Sequence, residues 1–203
     1  FKHFKIPIWL SKVFRNNFYK SDVIYDIATR ENEYLILLDS DCVWTRSKSR
    51  IEERMRGDYI LLLEIFKRKD YFEKAQGISM KDMGDTFRKI DLDYPVEHPR
   101  WFGGEFIAGD SKSLYPLIIK IKEVFDKTVR MSQEQEIKFD CGRNILDNDE
   151  YLASFVYNMP WVSYHDAGDI VKRIWTGHGG KRCPEDLSYD IWHLAAEKSL
   201  GFP

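Results

Sequence analysis

Three cysteines in 203 residues, Cys42, Cys141 and Cys183, are too few and too irregularly spaced for a disulfide framework or a zinc signature. Their odd count fits a reducing compartment and predicts a cytoplasmic location, either free or peripheral at a membrane face. No apolar run approaches the ~20 residues of a membrane span, and no signal peptide opens the chain. The longest apolar runs, Tyr34–Leu38 and residues 59–66, are of strand length. A net charge of −2, from 31 basic and 33 acidic residues, lacks the basic excess of a dedicated nucleic-acid binder. There is no internal repeat and no low-complexity linker, so residues 1–203 read as one domain. The chain begins at Phe1 in mid-pattern, which predicts a piece of a longer protein.

Aromatic side chains, by contrast, are abundant at 15%, with six Trp and eleven Tyr. They suit either an aromatic core or a cleft that binds a ligand or a carbohydrate. The most informative stretch is Leu35-Ile36-Leu37-Leu38-Asp39-Ser40-Asp41. A buried strand ending in Asp-x-Asp lifts two carboxylates to the carboxyl edge of a sheet, where open α/β folds bind ligands. Continued as a period-2 strand, Asp39 and Asp41 would share a face, and two such acids repel unless a cation lies between them. A hard divalent ion held by oxygens satisfies that arrangement. Asp-Ser-Asp is also turn chemistry.

Other elements follow from pattern. Residues 1–20 are basic and aromatic, with Ile6-Pro7-Ile8-Trp9 as a short extended piece. Ser21 and Asp22 are placed to cap a helix to about Arg30, with Val23, Ile24 and Ile27 inward. Residues 45–56 read as a solvated basic helix face and 59–66 as a second buried strand. Residues 67–99, with Gly77, Gly84, Pro95 and Pro99, read as an irregular excursion. Residues 100–109 form a third strand. Asp110 or Ser111 then caps a helix whose Leu114, Leu117, Ile118, Ile121, Val124 and Phe125 recur at helical spacing. A helix over 147–158, a short strand over 161–164 and a final amphipathic helix over 184–199 complete the prediction. His193 falls on the polar face of that last helix and is expected to be exposed.

Three further constellations carry chemistry. Gly103-Gly104 allows a close backbone approach or a bulge, and Glu105 interrupts an apolar run, so it needs a partner: a sugar hydroxyl, Arg100 or another base. In Asp147-Asn148-Asp149-Glu150, Asp147 and Glu150 have capping-box spacing. On a helical wheel Asp149 lies beside the buried stripe of Leu152, Phe155, Val156 and Met159, and Glu150 lies nearly opposite. The segment 172–182, with Arg173, His178 and Lys181 among glycines, is either a solvated basic loop or a cationic flap over a diphosphate. His178 would there be a third metal ligand, with His165 as its rival.

In this order the motifs resemble the GT-A glycosyltransferases: a strand with Asp39-Ser40-Asp41, then Gly103-Gly104-Glu105 and a long helix, then Asp149-Glu150, then a late histidine with basic neighbours. The resemblance covers about residues 21–182 and is similar to the blood-group-type and glycogenin-like enzymes. It implies an α/β fold, a Rossmann-type mixed sheet flanked by helices. It implies transfer of a sugar from a UDP- or GDP-sugar to a carbohydrate or glycoconjugate hydroxyl, with Mn²⁺ or Mg²⁺. By resemblance Asp39, Asp41 and His178 hold the metal, and Gly103, Gly104, Glu105, Arg173 and Lys181 line the donor or acceptor site. Asp149 or Glu150 would stand at the reacting carbon. Only 38 residues precede Asp39, so part of the base-binding region is expected to lie upstream of this chain. Leu37-Leu38-Asp39-Ser40-Asp41 also resembles the first motif of haloacid-dehalogenase-like phosphatases, with Asp166 and Asp169 as a second acidic pair. A non-catalytic carbohydrate-binding domain on a transferase fold is the other alternative.

Overall fold

The run Tyr34–Leu38 forms strand β1, at the bounds its apolar composition predicts. It is less buried than expected. Leu35 alone is fully enclosed, because β1 is an edge strand among the described residues. The computed structural model describes residues 19–30, 34–46, 50–55, 57, 59–67, 70–174 and 183–195. The extended piece expected at Ile6-Pro7-Ile8-Trp9 lies outside them.

β1 pairs antiparallel with β4 (Phe102–Asp110), and β4 pairs antiparallel with β3 (Ile60–Glu64). β5 (Tyr164–Asp166) adds parallel to β3, so the sheet order is β1-β4-β3-β5. These directions bring the carboxyl ends of β1, β3 and β5 and the amino end of β4 to one edge. β3 is the most enclosed strand, with Ile60, Leu61, Leu62 and Leu63 buried, as its continuous apolar run predicts.

A second sheet abuts that edge. Asp39-Ser40-Asp41 turns the chain out of β1, with the Cys42 N–H donating to the Asp39 carbonyl at 3.0 Å. The chain then enters β2 (Cys42–Trp44), which pairs antiparallel with β7 (Ile191–His193). β7 pairs parallel with β6 (Val171–Arg173), giving the order β2-β7-β6.

Helices α1 (Tyr19–Ala28), α4 (Ser111–Ser132) and α5 (Asp149–Tyr157) pack on one another and on β1 and β4. The stripe from Leu114 to Phe125 on α4 is buried as predicted, each residue contributing about 1.5–3 kcal/mol. The Asp110 carboxylate caps α4 by accepting from the Ser113 N–H at 2.6 Å. The mixed α/β architecture, with an open sheet flanked by helices, is the one predicted.

Several local expectations need correction. α1 is already helical at Tyr19, so Ser21 and Asp22 lie inside it and the first turn carries Lys20. The excursion 67–99 contains α3 (Met80–Ile90), capped by Ser79 and burying Met83, Phe87 and Ile90 at helical spacing. Among its described residues, the basic segment 45–56 is helical over α2 (Ile51–Arg54). Its Arg50 and Arg54 reach Asp190 and Asp169 rather than solvent alone. The short strand begins at Tyr164, later than predicted.

Over its described residues, 184–195, the predicted helix is a 3₁₀ turn, Pro184–Ser188, followed by β7. Leu187 in that turn is 63% exposed. Pairing of Ile191, Trp192 and His193 between β2 and β6 overrides the helical period, in keeping with the β preference of Ile and Trp.

Candidate metal-binding site

The two sheets meet at Asp39, Asp41 and His193. Register explains why. The Asp39 N–H donates to the Glu105 carbonyl at 3.0 Å, which extends the β1–β4 ladder by one residue. The Leu194 N–H donates to the Asp41 carbonyl at 3.0 Å, which extends β2–β7 likewise. His193 lies opposite Cys42 on one side and Arg173 on the other. The turn at Asp39-Ser40-Asp41 therefore folds both carboxylates toward an imidazole about 150 residues away in the chain.

One ligand atom from each of Asp39, Asp41 and His193 lies within 4.8 Å of the others. Asp41 is 2% exposed and His193 is 4% exposed. The His193 Nε2 stands 3.2 Å from Asp41 Oδ2. That is close to the ~3 Å ligand–ligand edge of an octahedron with bonds of about 2.1 Å. Two carboxylates and one imidazole at such spacing could hold a metal ion.

Fixed cations surround these acids. The Lys20 ammonium pairs with Asp39, donates to the Gly104 carbonyl at 3.0 Å and lies 3.9 Å from Asp149. Burial works against its charge, but Asp149 and Asp39 outweigh burial and raise its pKa above the ordinary lysine value. Glu105, 1% exposed, accepts from both Nε and Nη2 of Arg173, with Nη2 to Oε2 at 2.7 Å. His193 Nδ1 lies 3.4 Å from Glu105 Oε1. Burial alone would raise the Glu105 pKa, yet His193 and Arg173 beside it bring it down to about 2. Cys42 faces the same acids. Burial, then Asp39, Asp41 and Glu105, push its thiol up to about 12.

The glycine pair has a structural reason. A Cβ on Gly103 would strike the Glu105 carboxylate, which folds back over it. A Cβ on Gly104 would sit 3.2 Å from Asp149 Oδ2 and 3.3 Å from Glu150 Cγ, because the α5 N-terminus lies against it. A cavity of about 30 Å³, room for a single water, is lined by Lys20, Gly103, Gly104 and Asp149 with neighbouring apolar side chains.

The two acids at the start of α5 differ in ways the helical wheel does not anticipate. Asp147 forms its capping box with Asn144, not with Glu150, and Asn148 caps α5. Glu150 does not face away from the core. Its carboxylate accepts from the Gly104 N–H at 3.1 Å, Trp101 Nε1 at 3.2 Å and Arg173 Nη2 at 3.2 Å. Neighbours cover most of α5, with Tyr151, Leu152, Ser154, Phe155, Val156 and Tyr157 all buried, so no single stripe orients it. Burial raises the Glu150 pKa, Arg173 opposes it, and Glu105 and Asp149 add to the rise.

The structure thus gathers Asp39, Asp41, Gly103, Gly104, Glu105, Asp149, Glu150 and Arg173 around one locus. His178 and Lys181 lie outside the described residues. The rival His165, on β5, stacks on Tyr59, with ring centroids 3.9 Å apart. Asp166 and Asp169 form ion pairs with Lys67 and Arg54. Of the partners open to Glu105 on sequence, Arg100 pairs with Glu64, and the base that meets Glu105 is Arg173.

Sequence reasoning missed two residues, Lys20 and His193. His193 was hidden by reading residues 184–199 as a helix. The available signal was Ser188-Tyr189-Asp190 before Ile191-Trp192, a turn followed by β-forming residues. No described helix is long and apolar enough to cross a membrane. No protein-family model matches this chain, and no curated protein does.

Proposed function

We propose that the chain carries the donor-binding and catalytic edge of a metal-dependent glycosyltransferase, which moves a sugar from a nucleotide-diphosphate sugar to an acceptor hydroxyl. The observation that carries this reading is the Asp39–Asp41–His193 cluster, set at the carboxyl edge of the sheet beside further carboxylates and fixed cations. Asp39, Asp41 and His193 would hold the ion, with His193 in the role assigned to His178 on sequence. A ligand set of two carboxylates and one imidazole suits Mn²⁺ or Mg²⁺. When bound, the ion would offset negative charge on a diphosphate leaving group.

The remaining chemistry belongs to the chain's own side chains. Lys20 keeps a full positive charge beside Asp39 and can turn toward an anionic phosphate. Glu150 fixes the backbone of Gly104 and the indole of Trp101, and so holds the glycine strand in place. Asp149, next to Lys20 and Gly104, is the carboxylate best placed to meet a sugar or an acceptor hydroxyl. It would accept a proton from the acceptor in an inverting reaction, or support positive charge on the sugar ring in a retaining one.

The experiment is a panel of UDP- and GDP-sugars incubated with the protein and Mn²⁺, scored for released or transferred sugar. Metal-dependent turnover of one donor, abolished by EDTA and by Asp41→Asn, is expected. Phosphate release from simple phosphomonoesters, with no turnover of any nucleotide sugar, would overturn the reading in favour of a phosphatase.

A further inference from the structure

We infer that Glu105 is a positioning residue for the metal site: it holds His193 by Nδ1, so that Nε2 is presented beside Asp41 as a ligand. The inference rests on the metal reading above and names a residue that this reading leaves without a task toward the ion.

Three observations converge on it. The two nitrogens of His193 face different carboxylates, Nδ1 toward Glu105 Oε1 at 3.4 Å and Nε2 toward Asp41 Oδ2 at 3.2 Å. A neutral imidazole carries one N–H, so a donor bond from Nδ1 leaves the Nε2 lone pair directed at the Asp41 side. Glu105 is itself immobilised. It is 1% exposed on β4, and Arg173 Nε and Nη2 hold both of its oxygens. The Arg173 guanidinium lies beside His193 because β6 and β7 pair in parallel with Arg173 opposite His193. A charged carboxylate at such burial needs a stationary partner, and Arg173 supplies one N–H to each of its oxygens. Metal-bound histidines commonly donate their other ring N–H to a carboxylate, which fixes both tautomer and ring orientation.

Glu105 could instead be only a staple between the two sheets, through Arg173. That role and the positioning role predict different responses. A staple is broken equally by Glu105→Gln and Arg173→Met. A positioning carboxylate is weakened by Glu105→Gln, because the one oxygen of the amide must serve both Arg173 and His193.

The test is calorimetric titration of Mn²⁺ into wild type, Glu105→Gln and Arg173→Met, together with long-range ¹H–¹⁵N spectra of the wild-type histidines in Mg²⁺. Glu105→Gln is expected to lose about 10–100-fold in Mn²⁺ affinity, while Arg173→Met, which loosens Glu105 but leaves its carboxylate facing His193, loses less. The spectra are expected to place the His193 proton on Nδ1 and leave Nε2 bare. Equal losses in both variants, or undiminished Mn²⁺ affinity in Glu105→Gln, would overturn the positioning role and leave the metal site standing. A wild-type protein that takes up no Mn²⁺ overturns both. If a variant fails to fold, the wild-type spectrum decides: a proton on Nε2 with Nδ1 bare refutes the assignment.

Discussion

Replacing Glu150 by Gln should destabilise the protein, whereas replacing Asp149 by Asn should disable it. The Glu150 carboxylate accepts from two pairs of donors. One oxygen takes the Gly104 N–H and Arg173 Nη2, and the other takes Trp101 Nε1 and Asn148 Nδ2. A Gln amide has one acceptor oxygen. Either way round, one pair then faces an NH₂ group. Trp101 is 1% exposed and has no ready access to water. An unsatisfied buried donor costs about 1–3 kcal/mol, so two lost bonds give roughly 2–6 kcal/mol. Neutralising a carboxylate that burial, Glu105 and Asp149 all disfavour returns part of this. A net loss near 2 kcal/mol corresponds to a fall of about 4–8 °C in Tm for a domain of this size.

Asp149 lies 3.9 Å from Lys20, and the amide oxygen of Asp149→Asn can still face that ammonium, so this variant should cost less stability than Glu150→Gln. Its turnover should fall by ~100-fold or more, as expected for a lost acid–base or charge-stabilising group. Thermal melts and steady-state sugar transfer on both variants decide the matter. A stable but inactive Glu150→Gln, beside an active Asp149→Asn, would refute the division of labour drawn from these contacts.

Two further outcomes follow from the same geometry. Lys20→Met removes a cation from Asp39, so Mn²⁺ affinity measured by calorimetry should rise by about fivefold or more, roughly 1 kcal/mol of relieved repulsion, while the Tm in EDTA falls; a weaker affinity would contradict it. Burial raises the pKa of Asp82 on α3 above its ordinary 3.8, so the folded state holds that proton more tightly than the unfolded one and stability from this group falls as pH rises from about 3.8 through the folded value. Melts from pH 3.5 to 7 should show wild type losing ground to Asp82→Asn across that window, and parallel curves would refute the assignment.

How much of this was legible in sequence depended on how local the signal was. Continuous apolar runs gave β1 and β3, and the 3.6-residue period gave α4, because each is a property of neighbouring residues. The edge position of β1 was hidden, since burial there depends on what pairs beside it. Asp39, Asp41, Glu105 and Asp149 stood out as acids next to apolar runs. His193 did not, because its place is fixed by pairing with β2 and β6, elements roughly 150 and 20 residues away. Lys20 was missed for the same reason: its partners, Asp39, Gly104 and Asp149, come from three separate elements. For Glu150, helical phase was the wrong guide, because both β4 and β6 cover the first turn of α5.

The most direct test of the central claim is a crystal grown with Mn²⁺ and UDP or GDP, examined by anomalous diffraction at the manganese edge. The account predicts one strong peak bounded by Asp39, Asp41 and His193, with the diphosphate beside it. A peak elsewhere, or nucleotide bound with no peak at those three residues, would contradict it.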